Sequence, residues 1–96
     1  MEIVWMDSAI ADLDRLREFI GDKNRNAAER ISKVILEAIS KVEQCPHIGK
    51  PVKELEFFHD FHVRFGAGGY VLRYRIFEDI IYLIHLRHYR ELDFKS

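Results

Sequence analysis

The sequence predicts an α+β fold with the element order β-α-α-β-β-β, in which a helical hairpin packs on one face of a small, mostly antiparallel sheet. Apolar residues recur at the helical spacing of three or four between Ala9 and Val42, and at the strand spacing of two between Phe57 and Leu86. The 96 residues, 48% of them hydrophobic, suffice for one core. We therefore predict a single domain that spans residues 1–96.

The first strand and the first helix follow each other closely. Residues 2–6, EIVWM, are β-branched and aromatic, which favours a strand. Asp7 or Ser8 then supplies a side-chain oxygen that caps a helix, and Gly21 supplies the residue that ends it. The apolar stripe of this helix is formed by Ala9, Leu13, Leu16 and Ile20.

A second helix follows the polar link at residues 22–25. Asn26 with Glu29 three residues later resembles a capping box, and Pro46 stops the helix. The apolar stripe is formed by Ala27, Ile31, Val34, Ile35, Ala38 and Val42. Because the link is short, we predict that the two helices lie antiparallel.

The next two strands are predicted to pair across the glycine-rich loop at residues 66–69. The odd positions of residues 57–65, beginning with Phe57, form the more apolar face. Placing Phe65 opposite Tyr70 brings the apolar faces of both strands together, and it sets Asp60 opposite Arg75.

The last strand has a more apolar face at Ile80, Tyr82, Ile84 and Leu86. Aligning that face with the core requires a connection of odd length near Glu78 and Asp79, with three residues or a bulge, since a slip of one residue reverses every side chain. On this register the second face of the sheet is basic and apolar together. Its basic residues are His62, Arg64, Arg73, Arg75, His85 and Arg87, and its apolar residues are Phe58, Val71, Phe77, Ile81 and Leu83.

The charge balance decides what this second face recognises. The chain has 15 Lys and Arg against 16 Asp and Glu, a formal net charge of −1, so no global field attracts nucleic acid or membrane. Direct nucleic-acid binding is therefore not expected. Each arginine taken singly is best interpreted as a solvated residue that pairs with a nearby side chain. The whole set, with its apolar neighbours, instead indicates a surface that binds another molecule.

Other chemistries are weighed against this interpretation. The histidines at a spacing of three would point to opposite faces of a strand, and no cysteine pair or acidic cluster accompanies them, so we expect no metal and no other cofactor. His88 and Tyr89 with nearby arginines could cleave RNA by acid and base catalysis. The single cysteine, the absence of a charged leader and the absence of a long apolar run predict a cytoplasmic protein without a membrane span.

Three segments together resemble the RelE/ParE superfamily of bacterial toxins, and the ParE branch more than the RelE branch. They are CPHIGKPVKEL at residues 45–55, GGYVLRYRI at residues 68–76 and IYLIHLRHYRE at residues 81–91. Membership implies the toxin of a type II toxin-antitoxin system, associated with plasmid stabilisation and neutralised in a hetero-oligomer by an antitoxin from a neighbouring gene. ParE-like toxins are associated with poisoning DNA gyrase, whereas RelE-like toxins cut messenger RNA on the ribosome.

The resemblance leaves three hypotheses. The first is a gyrase-binding toxin without enzymatic activity of its own, with Arg87, His88 and Arg90 touching the target. The second is a ribosome-dependent endoribonuclease that uses Arg64, Arg73, Arg87, His88 and Tyr89. The third is a non-toxic module that still binds its antitoxin. In all three, the predicted antitoxin-binding residues are Arg64, Val71, Arg73, Arg75, Ile81 and Leu83.

Overall fold

The computed structural model describes residues 1–21, 24–66 and 68–89. The elements are β1 (Glu2–Trp5), α1 (Asp7–Gly21), α2 (Arg25–Gln44), β2 (Lys50–Pro51), β3 (Phe58–Phe65), β4 (Gly68–Phe77) and β5 (Ile80–His88). The strands form one sheet in the order β1-β5-β4-β3-β2, where β1 pairs parallel with β5 and the other pairs are antiparallel. The predicted fold is confirmed, and the short edge strand β2 is an addition to it.

Both helices form where their apolar stripes predict them, but the cap of α2 lies earlier than predicted. Asn24, not Asn26, is the N-cap: its backbone is extended at φ −161°, and its side chain accepts a hydrogen bond from the Ala27 amide at 3.1 Å. Asn26 already lies inside the helix. In the described part of the chain, neither helix is long and apolar enough to cross a membrane.

The core lies between the helices and one face of the sheet. It contains Ala9 and Leu16 from α1, and Ile31, Ile35, Ile39 and Val42 from α2. These side chains pack against Tyr70, Leu72, Tyr74, Ile81, Leu83 and Leu86 from β4 and β5. Burial of this size is the main stabilising contribution to the fold.

The register of β3 and β4 differs from the predicted one by two residues. Phe65 lies opposite Gly68 and not opposite Tyr70, because the connection is tighter than predicted and uses Gly66 at φ 61°. A shift of two keeps every side chain on its predicted face but changes its neighbours. Asp60 consequently lies opposite Arg73, and the predicted pairing with Arg75 is wrong.

The predicted odd-length connection between β4 and β5 is also wrong. Glu78 and Asp79 form a two-residue turn with both φ angles positive, 49° and 64°, as the tightest hairpin turns require. The residues after it are therefore inverted relative to the prediction. Ile81 and Leu83 lie on the helix side with 0% exposure, while Ile80 and Tyr82 lie on the other side.

A β-bulge in β5 then restores the predicted faces for the rest of the strand. Tyr74 pairs with Leu83 and Arg73 pairs with His85, which leaves Ile84 as the extra residue. Beyond the bulge, Leu86 lies opposite Leu72 in the core. His85 and its neighbour Arg87 therefore point away from the helices, as predicted.

The first helix covers the edge of β5 that β1 does not reach. Ser8 donates from Oγ to the Ile84 carbonyl at 2.6 Å, and Asp12 Oδ2 accepts the Leu86 amide at 2.9 Å. Arg15 Nη2 lies 3.5 Å from the Leu86 carbonyl. The three side chains recur at helical spacing on one face of α1. They satisfy backbone groups that would otherwise form an open sheet edge.

Candidate functional site

The described elements leave one face of the sheet uncovered, since both helices pack on the other. We call it the open face. The side chains that the three central strands and the residue after them place on it are Phe58, Asp60, His62, Arg64, Val71, Arg73, Arg75, Phe77, Ile80, Tyr82, His85, Arg87 and Tyr89. Basic, aromatic and acidic groups are distributed unevenly along it, so the centre and the two ends are described separately.

The centre of the open face holds a neutralised arginine. Arg73 donates from Nε to Asp60 Oδ1 at 2.8 Å and from Nη2 to Asp60 Oδ2 at 3.0 Å. The two side chains are only 14% and 19% exposed, so solvent screens this bidentate pair less than it screens a surface pair. Arg73 therefore presents little net charge to a ligand.

A second acidic residue reaches the open face from the first helix. Asp12 Oδ2 lies 2.8 Å from His85 Nδ1 while it accepts the Leu86 amide. Sequence reasoning did not consider Asp12, because it lies 73 residues from His85 in the chain. The carboxylate holds His85 against the edge of β5, next to the pair formed by Arg73 and Asp60.

The end of the open face near the β3–β4 hairpin carries Tyr89. Its amide donates to the Gly69 carbonyl at 3.0 Å, and its ring covers Gly69 so closely that a Cβ there would lie 2.7 Å from the ring. The rings of Tyr89 and His62 meet edge to face at 5.9 Å. Arg64 lies opposite Gly69 on the neighbouring strand. We call this the hairpin end.

The other end of the open face is aromatic. The Arg75 guanidinium lies over Phe77, Phe57 and Phe58, at 4.7, 5.7 and 6.0 Å from the ring centroids. Phe57 was predicted in the core, but it lies before β3 with a left-handed backbone at φ 69° and is 45% exposed. Its ring packs on Phe77 at 5.6 Å instead.

The turn after α2 is fastened to the helix side of the sheet by Tyr74. The Tyr74 hydroxyl donates to the Pro46 carbonyl at 2.7 Å and accepts the Gly49 amide at 2.9 Å. A Cβ on Gly49 would lie 2.7 Å from that hydroxyl, so only glycine fits. Burial raises the pKa of the Tyr74 phenol, and the hydrogen bond from Gly49 opposes this change.

The turn at residues 46–51 and the strand at residues 70–75, which belong to two of the segments that resemble the toxin superfamily, are thus joined by this contact. Both segments lie within the part of the chain that a known family model matches. The family model described as "ParE toxin of type II toxin-antitoxin system, parDE" matches residues 3–92. This chain belongs to the ParE toxin family.

Individual relatives extend the likeness to both branches of the superfamily. Toxin RelE3 of Caulobacter vibrioides is 31% identical over 77 residues, covering 80% of this chain and 82% of the relative. Toxin RelE2 of the same organism is 25% identical over 91 residues, covering 91% and 93%. The chromosomal ParDE toxin-antitoxin system from P. aeruginosa shares the fold, with a TM-score of 0.78, 18% identity and coverage of 92% and 95%.

In this ParE-family toxin the residues predicted for ribonuclease chemistry do not all meet. Arg64, Arg73, Arg87 and Tyr89 share the open face. His88 instead lies on the helix side, where its ring meets Tyr70 edge to face at 5.2 Å. The described residues also contain no group of three or more His, Cys, Asp and Glu side chains that could hold a metal ion.

The residues predicted to bind the antitoxin also separate into two groups. Arg64, Arg73 and Arg75 lie on the open face. Val71 lies there too, but its neighbours leave it 1% exposed. The placement of Ile81 and Leu83 on this face is wrong, because the two-residue turn buries both in the core.

The residues predicted to touch the target lie in three places. Arg87 is on the open face, His88 is on the helix side, and Arg90 lies outside the described residues. Sequence reasoning missed the exposed Phe57 because a strand pattern does not show where the strand begins. It also missed the bond of Tyr74 with Gly49, although both residues stood in the quoted motifs.

Proposed function

We propose that this ParE-family toxin arrests growth by binding and poisoning DNA gyrase, and that a cognate antitoxin from a neighbouring gene neutralises it in a hetero-oligomer. The observation that carries the proposal is the neutralised centre of the open face. Arg73 is held by Asp60 at 2.8 and 3.0 Å. A face built in this way supports docking to a protein better than capture of a phosphodiester.

Ribonuclease chemistry needs cations that are available to the phosphate and an acid and a base on the same face. Moving Arg73 onto a phosphate would leave the Asp60 carboxylate, 19% exposed, without its partner and beside the anionic substrate. His88 cannot join Tyr89, because the two side chains lie on opposite sides of the sheet. Both observations favour the gyrase-binding activity.

A ribosome-dependent endoribonuclease is the second candidate, and the hairpin end favours it. The rings of His62 and Tyr89 meet at 5.9 Å beside Arg64, so a general base, an acid and a cation stand together. In such a reaction, one group removes the proton of the 2′-hydroxyl, which attacks the adjacent phosphorus. The other group protonates the leaving 5′-oxygen.

Two assays with the purified toxin decide between these functions. In the first, gyrase supercoils relaxed plasmid, and we expect the toxin to inhibit the reaction and to trap cleaved DNA. In the second, primer extension on translated messages detects new 5′ ends, and we expect none. New 5′ ends that need ribosomes, together with unaffected supercoiling, would refute the proposal and establish the nuclease.

A matched set of variants sharpens the comparison. His62→Ala and Tyr89→Phe remove the only base and acid pair that the described open face offers at the hairpin end, so a nuclease would lose its activity in both. A gyrase poison that depends on Arg87 would instead lose activity in Arg87→Ala and keep it in Tyr89→Phe. Growth after induction without antitoxin tests the third hypothesis, because a non-toxic module would leave growth normal.

The antitoxin is proposed to lie along the open face, where Arg64 and Arg75 of the predicted set would fix its register, whereas Arg73 stays paired with Asp60. Since Ile81, Leu83 and Val71 are buried, its apolar anchors need other residues. The exposed aromatic side chains at the Arg75 end supply them.

A further inference from the structure

The loop before β3 and the end of β4 expose apolar side chains at the aromatic end of the open face. Leu55, Phe57 and Phe77 are 41%, 45% and 38% exposed. Beside them, residues 51, 52 and 54–59 line an open groove of about 450 Å³. We call Leu55, Phe57, Phe58, Arg75 and Phe77 the turn-end patch. Large apolar side chains gathered in this way on a small protein indicate an interaction site.

The side chains of the turn-end patch already contact one another in the toxin alone. Arg75 stacks under Phe57, Phe58 and Phe77, and no carboxylate of the described residues lies within salt-bridge distance of its guanidinium. Cation–π contacts of this kind fix the rings relative to each other. A partner therefore meets rings that are already ordered, which lowers the entropy cost of binding.

In the described chain, left-handed backbone at non-glycine residues is confined to the two loops beside this patch. The non-glycine residues with positive φ are Glu54, Phe57, Glu78 and Asp79, at 68°, 69°, 49° and 64°. A bulky residue such as Phe57 costs about 1–2 kcal/mol in this conformation, where Asn or Gly would cost less. Since the ring is also exposed, folding alone does not account for a phenylalanine at this position.

The rim of the patch is acidic. Glu54, Glu56, Glu78 and Asp79 are all exposed in the two loops. Residues 52–58 and 75–79 contain only two cationic residues, Lys53 and Arg75. These two stretches therefore have four carboxylates and two cations. A complementary surface therefore carries basic side chains around its apolar ones.

We propose that the turn-end patch docks a segment of the antitoxin in which apolar side chains are flanked by lysines or arginines. The inference rests on the proposed function in taking the antitoxin as the partner. The rings of Phe57 and Phe77 receive the apolar side chains, and one of these enters the neighbouring groove. The carboxylates of the rim attract the flanking cations and guide association.

The test measures the affinity of the purified antitoxin for purified toxin variants by calorimetry. Phe57→Asn removes the ring while easing the left-handed backbone, so its melting temperature should equal or exceed that of the unchanged toxin. We expect its affinity to fall by about 30-fold or more, the loss typical of a central anchor. Phe77→Ser removes the ring that packs on Phe57, and it should weaken binding similarly. Leu36→Gln, at a residue 59% exposed on α2, is the control, with a change within about twofold.

The role of the acidic rim is tested by measuring the rate at which toxin and antitoxin associate. Glu56→Lys with Glu78→Lys should slow association about tenfold at low salt and reduce its salt dependence. Glu29→Lys with Glu43→Lys makes the same charge change on exposed positions of α2 and should leave the association rate unchanged.

Each outcome separates this inference from the proposed function. If the unchanged toxin binds its antitoxin and Phe57→Asn binds equally well, the patch is not the docking site and the inference is overturned. If Phe57→Asn loses growth arrest while its antitoxin affinity is unchanged, the patch belongs to the target, which also overturns it. An unchanged toxin that fails to bind the antitoxin would refute the proposed neutralisation itself.

Discussion

Replacing Tyr74 by phenylalanine tests the contact that joins the two sequence motifs. The substitution keeps the buried ring, whose exposure is 0%, and removes only the hydroxyl. Two groups then lose their partner: the Gly49 amide, bonded at 2.9 Å, and the Pro46 carbonyl, bonded at 2.7 Å. Because Gly49 is buried, water cannot easily replace the hydroxyl.

The expected cost follows from these two bonds. Leaving a buried donor or acceptor without a partner costs about 1–3 kcal/mol, and the Pro46 carbonyl is only partly buried, so we expect a total loss of about 2–4 kcal/mol. For a domain of this size, 2 kcal/mol lowers the melting temperature by about 8 to 16 °C. Urea unfolding followed by circular dichroism measures the free energy of unfolding directly.

Tyr82→Phe is the matched control, because it makes the same chemical change at a half-buried tyrosine of the open face. It should cost less than about 0.5 kcal/mol. Equal losses for the two variants would refute the claim that the Tyr74 hydroxyl fastens the turn.

Alkaline pH provides an independent check on Tyr74. Since burial raises the pKa of its phenol in the folded protein, the unfolded chain ionises first, near pH 10. The stabilisation from the neutral phenol is therefore complete below about pH 10 and is lost as the pH rises through the folded pKa. Tyr74→Phe lacks this titration, so its stability difference from the unchanged protein should narrow above pH 10.

Two further substitutions test contacts that the sequence did not reveal. Gly49→Ala should destabilise the protein by about 1–3 kcal/mol, because its Cβ would lie 2.7 Å from the Tyr74 hydroxyl; a melting temperature within a degree of the original would contradict this close packing. Asp12→Ala should cost about 1–3 kcal/mol because the Leu86 amide loses its acceptor, and hydrogen exchange at Leu86 should accelerate. Unchanged exchange there would show that α1 does not cover the edge of β5.

The sequence could predict the fold because the two periods of its apolar residues are clear. The stripes through Leu16 and Ile35 fix which sides of the helices are buried, and parity alone places Arg73 and Asp60 on the same face. Parity repeats every two residues, however, so it cannot distinguish the true register from one shifted by two. This is why the partner of Asp60 was predicted as Arg75.

The remaining errors come from backbone features that side-chain patterns do not encode. The bulge at Ile84 reverses the faces of β5 partway along, so no single alternation fits the whole strand. The same tight turn that makes the bulge necessary moves Ile81 and Leu83 from the predicted antitoxin surface into the core. Contacts between distant segments, such as Asp12 with His85, need the tertiary structure.

The open face has two chemically different ends, and this constrains how an antitoxin could neutralise the toxin. The turn end carries Phe57 and Phe77 with an acidic rim, whereas the hairpin end carries Arg64, Arg87 and Tyr89. Along β4, eight residue steps separate Phe77 at the turn end from Gly69, which Tyr89 covers at the hairpin end, so the two ends lie about 27 Å apart at the rise of an antiparallel strand. If the antitoxin docks at the turn end and the target contacts the hairpin end, neutralisation requires a segment that spans this distance. About 8 extended residues or about 18 helical residues would suffice. An antitoxin fragment limited to its basic, apolar docking segment should therefore bind the toxin in calorimetry yet fail to restore growth. Restored growth with such a fragment would show that the two ends are coupled or that the target uses the turn end itself.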